Sequence, residues 1–179
     1  LKYLNVVGLM SGTSMDGIDG TLVKTNGKSL YETNIKVNVK YSSISRSLLN
    51  RSLTNFDNFT DKEKEKLIKY ITNDHYKAVK YVIKTSGITP DLIGFHGQTI
   101  FHHPEKKISI QLGDPILLSK LTKLKVISDF RNHDIQNGGQ GAPLAPIYHK
   151  YLINKLKLDL SCCFVNIGGV ANITYYDGI

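Results

Sequence analysis

The chain has 179 residues, 41% of them hydrophobic and 21% charged, with a formal net charge of +8 and two cysteines. That is the composition of a globular domain, or of one domain and part of another; it excludes a disulfide-stapled scaffold, and no apolar run is long enough to span a bilayer. The positive charge predicts no nucleic-acid surface, because Lys62, Lys64, Lys66, Lys69, Lys77, Lys80 and Lys84 share one helical stretch with Asp61, Glu63 and Glu65, without an arginine-aromatic cluster.

Residues 5–10 form the first predicted strand, too short and without the cleavage pattern of a secretory signal, so a cytoplasmic protein is expected. The strand enters Ser11-Gly12-Thr13-Ser14-Met15-Asp16-Gly17 and leaves as a second strand over 18–25, beginning Ile18-Asp19. Gly12 and Gly17 permit a tight bend and close backbone approach to a ligand. Thr13 and Ser14 set hydroxyls beside unpaired amides, and Asp16 and Asp19 add hard oxygens suited to hydrated Mg²⁺, with Asp16 the metal candidate. The segment reads as a nucleotide-phosphate cradle; an ordinary hairpin turn built from the usual turn residues is the competing reading.

Residues 30–41 alternate apolar and polar as a third strand with one covered face. Helices follow over 45–52 and 61–86, the second entered through Thr60 as N-cap with Glu63 closing a capping box, and ended by Gly87. A buried strand over 92–95 delivers His96-Gly97-Gln98-Thr99 at its carboxyl end, a set of hydrogen-bonding groups suited to a sugar or polyol; for His96 a satisfied core-edge ring is the competing reading. Residues 100–101 and 108–112 form a hairpin, 114–123 a helix entered through Asp114 and Pro115, and 125–128 a strand.

That strand ends in the loop Asp129-Phe130-Arg131-Asn132-His133-Asp134. A carboxylate beside a cation stays ionised and can take a proton from a hydroxyl or water, which makes Asp134 the candidate base; a structural ion pair with Arg131 is the alternative. Gly138-Gly139-Gln140-Gly141 follows, a glycine loop that either cradles a phosphate or simply turns, before a helix over 144–153. The final strands cover 162–167 and 171–176 around Gly168-Gly169, another turn open to phosphate, with Cys162 and Cys163 expected as a reduced, buried pair. The order predicts an α/β fold, a mixed sheet with flanking helices, and a ligand crevice at the carboxyl ends of its strands.

Five segments taken in order, Gly8-Leu9-Met10-Ser11-Gly12-Thr13-Ser14-Met15-Asp16-Gly17-Ile18-Asp19, Gly94-Phe95-His96-Gly97-Gln98-Thr99, Gln111-Leu112-Gly113-Asp114, Asp129-Phe130-Arg131 through Gly139-Gln140-Gly141-Ala142-Pro143-Leu144, and Asn166-Ile167-Gly168-Gly169-Val170-Ala171-Asn172-Ile173-Thr174, resemble the anhydro-N-acetylmuramic acid kinases. The resemblance implies an actin-like, sugar-kinase ATPase fold (ribonuclease H-like), with a first domain over 1–158 and only the first strands of a second over 159–179. It implies ATP and Mg²⁺ as cofactors and transfer of the γ-phosphoryl group to the sugar O6 as the 1,6-anhydro ring opens, in cell-wall recycling. Asp134 then resembles the base that activates water at the anomeric carbon, with Asp129 the runner-up and Arg131 beside them.

Gly12, Thr13, Ser14, Met15, Asp16, Gly17, Ile18 and Asp19, with Gly168 and Gly169, correspond to nucleotide-binding segments, and His96, Gln98, Gly139 and Gln140 to the sugar side. Family members are about twice this length and bind nucleotide between two domains. The expectation is therefore an amino-terminal half that needs a carboxyl-terminal half, separately encoded or continuous, to act. A non-catalytic sugar- or partner-binding remnant is the alternative, and a homodimer is left open.

Overall fold

The computed structural model describes residues 1–12, 14–158, 160–167 and 171–177. They fall into two compact units, Leu1–His102 with Ser109–Asp129, and His103–Ile108 with Phe130–Ile179. The first unit carries a mixed sheet. Strands β1 (Leu4–Ser11), β2 (Gly17–Thr25) and β3 (Leu30–Lys40) form an antiparallel meander, and β1 pairs in parallel with β4 (Leu92–His103). The order is β3-β2-β1-β4-β5, with β5 at Ile108–Leu112, and β6 (Lys125–Ile127) pairs in parallel with the start of β4. This is the α/β mixed sheet with flanking helices expected from the order of elements.

Helix α2 (Asp61–Ser86) covers the meander, and its limits follow from local chemistry. The Thr60 hydroxyl accepts from the Glu63 amide while the Glu63 carboxylate accepts from the Thr60 amide, and Gly87 ends the helix in a left-handed conformation. Arg51 pairs with the same carboxylate and holds it well below its ordinary value, at about 2. Leu67, Ile71, Ala78, Val79 and Val82 recur at helical spacing and are fully buried, whereas the lysines of α2 lie off this stripe, as the mixed charge pattern predicts. Burial of each large member of the stripe contributes about 1.5–3 kcal/mol. Gly20 lets the helix settle close, since a Cβ there would meet Val37 and Val82 methyls at 3.0 and 3.1 Å.

Helix α1 (Ser43–Asn55) is fastened to α2 by a buried carboxylate: Asp74 accepts from the Ser42 amide at 3.0 Å, from the Ser45 hydroxyl and from Lys77 at 2.7 Å. Burial works to raise the Asp74 carboxyl, but these donors outweigh it and hold the group below its ordinary value. Helix α3 (Pro115–Thr122) starts as predicted, with the Asp114 side chain accepting from the Leu117 amide.

The second unit holds α4 (Phe130–Gln136), α5 (Leu144–Leu156) and the antiparallel pair β7 (Cys162–Asn166) and β8 (Asn172–Tyr176). The His149 ring of α5 stacks on Phe164 of β7 at 4.4 Å.

Three expectations need correction. Residues 92–103 are one strand, so His96 to Thr99 lie within β4 rather than at its end, because the segment is held between β1 on one side and β5 on the other. Residues 130–136 are helical, not a loop; their hydrogen-bonding side chains sit on a short helix that begins directly after Asp129, a residue in left-handed backbone. Cys162 and Cys163 are free but not buried: the two-stranded ribbon leaves Cys163 exposed and Cys162 half-buried. Among the described residues no helix is long and apolar enough to cross a membrane.

Candidate active site

The site of the first unit is built where β1 and β4 run side by side. Their register is regular from Val6↔Leu92 to Leu9↔Phe95 and then slips, so that Ser11 faces Gln98. Two residues on β1 thus span three on β4, and the extra one falls at His96-Gly97, where Gly97 has φ +73°. Gly is required there: a Cβ would lie 2.6 Å from the Leu112 carbonyl oxygen. The bulge changes which side of the strand faces inward. Ile93 and Phe95 point into the core, and after the bulge Gln98 does so as well, so that Gln98, expected on the sugar side, has no exposed surface to offer a ligand.

A buried amide must find partners. The Gln98 Nε2 donates to the carbonyls of Gly12 at 3.1 Å and Thr99 at 3.0 Å, and its Oε1 accepts from the Tyr41 hydroxyl at 2.9 Å. Ser11 donates to the Gly97 carbonyl at 2.9 Å, so the bulge and the turn are joined twice. The Gly12 carbonyl also accepts from the Met15 amide at 3.1 Å, which closes the turn. Met15 adopts φ +52° and buries its side chain in the core. The turn is therefore held from beneath by a carbonyl on Gln98 and a thioether in the core.

Its polar groups face outward. Ser14 and Asp16 are exposed, the Ser14 hydroxyl donating to Asp16 Oδ1 at 2.8 Å. That bond, with the backbone amides of Asp16 and Gly17, holds the carboxyl below its ordinary value and keeps it ionised. Asp19 lies on β2 opposite Asn38 of β3 and accepts from its amide at 2.8 Å. Ile18 is fully buried, so only its backbone belongs to this surface. Gly17 packs against β3, where a Cβ would sit 2.8 Å from the Val39 carbonyl oxygen. The His96 ring is half-buried, with Nδ1 3.0 Å from the Gly97 carbonyl.

In the second unit, Arg131 and Asp134 stand one turn apart on α4 and grip the same residue. Arg131 Nη1 donates to the Gly141 carbonyl at 2.7 Å, and the Gly141 amide donates to Asp134 Oδ2 at 2.8 Å. Burial lowers the Arg131 pKa, with no loss of charge expected for a guanidinium. The Gly139 amide donates to the Asp134 carbonyl at 2.8 Å, and a Cβ on Gly139 would stand 2.2 Å from Asp134 Oδ2. The glycine loop thus lies directly over the carboxylate. Gln140 is exposed, and Asp129 is an exposed residue of the first unit with φ +64°. Thr13, Gly168 and Gly169 lie outside the described residues.

The structure brings Gly12, Ser14, Met15, Asp16 and Gln98 together in one unit and Arg131, Asp134 and Gly139 in the other. Sequence reasoning missed Tyr41, Ser11 and Asn38. Asn38 was hidden by an irregularity in the β2–β3 hairpin, whose register slips between Thr21 and Val23, so that Asp19 meets Asn38 where counting from the turn would give Lys36; Tyr41 and Ser11 gain their roles only from the β1–β4 bulge.

Comparison with known proteins identifies the family. The family model described as anhydro-N-acetylmuramic acid kinase matches residues 4–177. Among curated relatives with that name, the chain is 45% identical over 178 residues to the protein of Pelagibacter ubique strain HTCC1062, covering 97% of this chain and 48% of the relative. It is 39% identical over 183 residues to that of Bradyrhizobium diazoefficiens, covering 98% and 50%, and 40% identical over 169 residues to that of Rhodospirillum rubrum, covering 94% and 44%. The chain spans about half the length of the curated relatives it matches. With a family model matched over nearly its whole extent, the chain belongs to the anhydro-N-acetylmuramic acid kinase family.

Proposed function

We propose that the chain supplies the nucleotide-phosphate wall and the proton acceptor of an ATP-dependent kinase acting on a 1,6-anhydro amino sugar, anhydro-N-acetylmuramic acid. The observation that carries the proposal is the turn from Gly12 to Gly17, anchored below by Gln98 and Met15 while Ser14 and an ionised Asp16 face outward. A turn stiffened in that way presents fixed polar groups to a polyanion without reorganising on binding. Gly168 and Gly169 are assigned to the same nucleotide. Asp16 fits a hydrated Mg²⁺ shared with the phosphates, a mode that needs one or two carboxylates and not a protein cage. Among the described residues no group of three or more His, Cys, Asp or Glu side chains is assembled for a metal.

On the sugar side, water attacks the anomeric carbon and loses its proton to Asp134, the C1–O6 bond breaks, and O6 takes the γ-phosphoryl group as ADP leaves. Asp129 is the second candidate for the base. Arg131 holds the Gly141 peptide against Asp134, and His96, Gly139 and Gln140 are assigned to the sugar. Use of ATP places the reaction in the cytoplasm. A carboxyl-terminal half is the proposed partner for turnover, a reading supported by the chain's coverage of 48% of the Pelagibacter ubique relative.

The test is reconstitution. The chain is mixed with the carboxyl-terminal half of the Pelagibacter ubique relative, ATP, Mg²⁺ and anhydro-N-acetylmuramic acid, and the products are resolved by mass spectrometry. Formation of the 6-phosphorylated, ring-opened sugar with stoichiometric ADP is expected. Sugar binding by calorimetry without ATP consumption would replace the kinase with a non-catalytic sugar-binding chain.

A further inference from the structure

We infer that Tyr41 and Gln98 form a brace beneath the phosphate turn, Tyr41 orienting the Gln98 amide and Gln98 fixing the Gly12 carbonyl, so that both govern nucleotide affinity without touching nucleotide. The inference rests on the phosphate reading of that turn. Gln98 has no exposed surface and Tyr41 is 6% exposed. The amide can stand only one way round: Nε2 faces two carbonyls at 3.0 and 3.1 Å, and reversal would set Oε1 against both of them. Oε1 therefore needs a donor, and the Tyr41 hydroxyl at 2.9 Å is that donor.

The phenol is itself held. Tyr41 follows the end of β3, and its ring stands edge-on to the fully buried His75 of α2, with centroids 6.2 Å apart. His75 is fixed in turn by Nδ1 on the Ile71 carbonyl at 2.8 Å and by Phe95, 5.0 Å away. Burial raises the Tyr41 pKa, so the hydroxyl remains a donor throughout the physiological range. The series α2, His75, Tyr41, Gln98, Gly12 thus links the packed core to the turn.

A structural role alone is a poor account of these groups. An apolar side chain at position 98 would avoid desolvating an amide, whereas only a donor in that place can hold the Gly12 carbonyl. Tyr41 and Gln98 are positioning residues by this reasoning, and the Met15 amide, which closes the turn on the same carbonyl at 3.1 Å, reports on them.

The experiment is a titration of the 179-residue chain with Mg-ATP, followed in ¹H–¹⁵N NMR spectra. In the unmodified chain the amides of Gly12, Ser14, Met15 and Gly17 shift saturably. Tyr41→Phe, which keeps the ring, weakens that binding about three- to tenfold. It also speeds hydrogen exchange at the Met15 amide while the amides paired between β1 and β2 stay as before. In a Gln98→Leu background Tyr41→Phe has no further effect, because its route to the turn is gone. Tyr41→Phe binding with unaltered affinity and unaltered Met15 exchange would overturn the brace and leave the phosphate turn standing. Independent, multiplying effects of the two substitutions would also overturn it. An unmodified chain whose turn amides ignore Mg-ATP would overturn the phosphate reading itself, and the brace with it. The Met15 exchange comparison needs only Tyr41→Phe, so it decides the question even where Gln98→Leu fails to fold.

Discussion

Gly97→Ala tests how the site is built, because the substitution adds one methyl group to the bulge that turns Gln98 inward. Two costs combine. Gly97 has φ +73°, a conformation that disfavours an L side chain by about 1–2 kcal/mol. The new Cβ would also stand 2.6 Å from the Leu112 carbonyl oxygen and 3.6 Å from the Gln111 Cβ. Ordinary contact needs about 0.8 Å more, and the obstructing atom is strand backbone, which cannot swing aside as a side-chain terminus can; overpacking of this kind costs about 1–3 kcal/mol. The sum, about 2–5 kcal/mol, corresponds to a fall of about 1–2.5 M in the urea midpoint at a slope of about 2 kcal/mol/M. Gly94→Ala is the control: its Cβ would meet nothing nearer than the Val7 carbonyl oxygen at 3.8 Å, and its loss is about 1 kcal/mol or less. Urea unfolding followed by circular dichroism measures both variants. Equal midpoints for Gly97→Ala and Gly94→Ala would refute the bulge as the device that places Gln98.

Two further predictions follow from the same geometry. Gly139→Ala puts a Cβ 2.2 Å from Asp134 Oδ2, which displaces the carboxylate by about 1 Å; turnover of the reconstituted kinase falls about 100-fold while the urea midpoint changes far less, as steady-state rates and unfolding curves will show. His75, fully buried, has its pKa lowered to about 4 by desolvation. The unfolded chain therefore binds a proton that the folded chain does not, so stability present above pH 6.5 is lost progressively as pH falls toward about 4. Titration of the His75 ring resonances near pH 6.5 would contradict this, whereas Tyr41 and Phe95 packed against the ring predict a low value.

Those elements whose signals are local were legible in the sequence. Thr60, Glu63 and Gly87 delimit α2 because each acts within one turn of itself, and the bounds expected from them are those observed. Asp114 and Pro115 do the same for α3. The juxtaposition of the Gly12 turn with Gln98 was legible only as a tendency of parallel strands to gather function at their carboxyl ends. Its actual means, a one-residue slip between β1 and β4, depends on a partner strand some ninety residues away along the chain, about which no local pattern speaks. The burial of Gln98 was hidden for the same reason: alternation counted from Ile93 and Phe95 sets it on the opposite side of the strand. Arg131 and Asp134 were found as a chemical pair, but read as a loop, because a seven-residue helix shows too little apolar periodicity to declare itself. Met15 and Ile18 belong to the proposed phosphate segment by position and to the core by side chain, a division that residue type alone leaves open.

The most direct test of the central claim is the turnover of the reconstituted kinase with Asp134→Asn, which keeps the size of the side chain and an oxygen able to accept from the Gly141 amide while removing the basic carboxylate. The account predicts that Mg-ATP still shifts the amides of the Gly12 turn and that formation of the 6-phosphorylated sugar falls by about 100-fold or more. Product formation at the unmodified rate, with nucleotide binding intact, would contradict it.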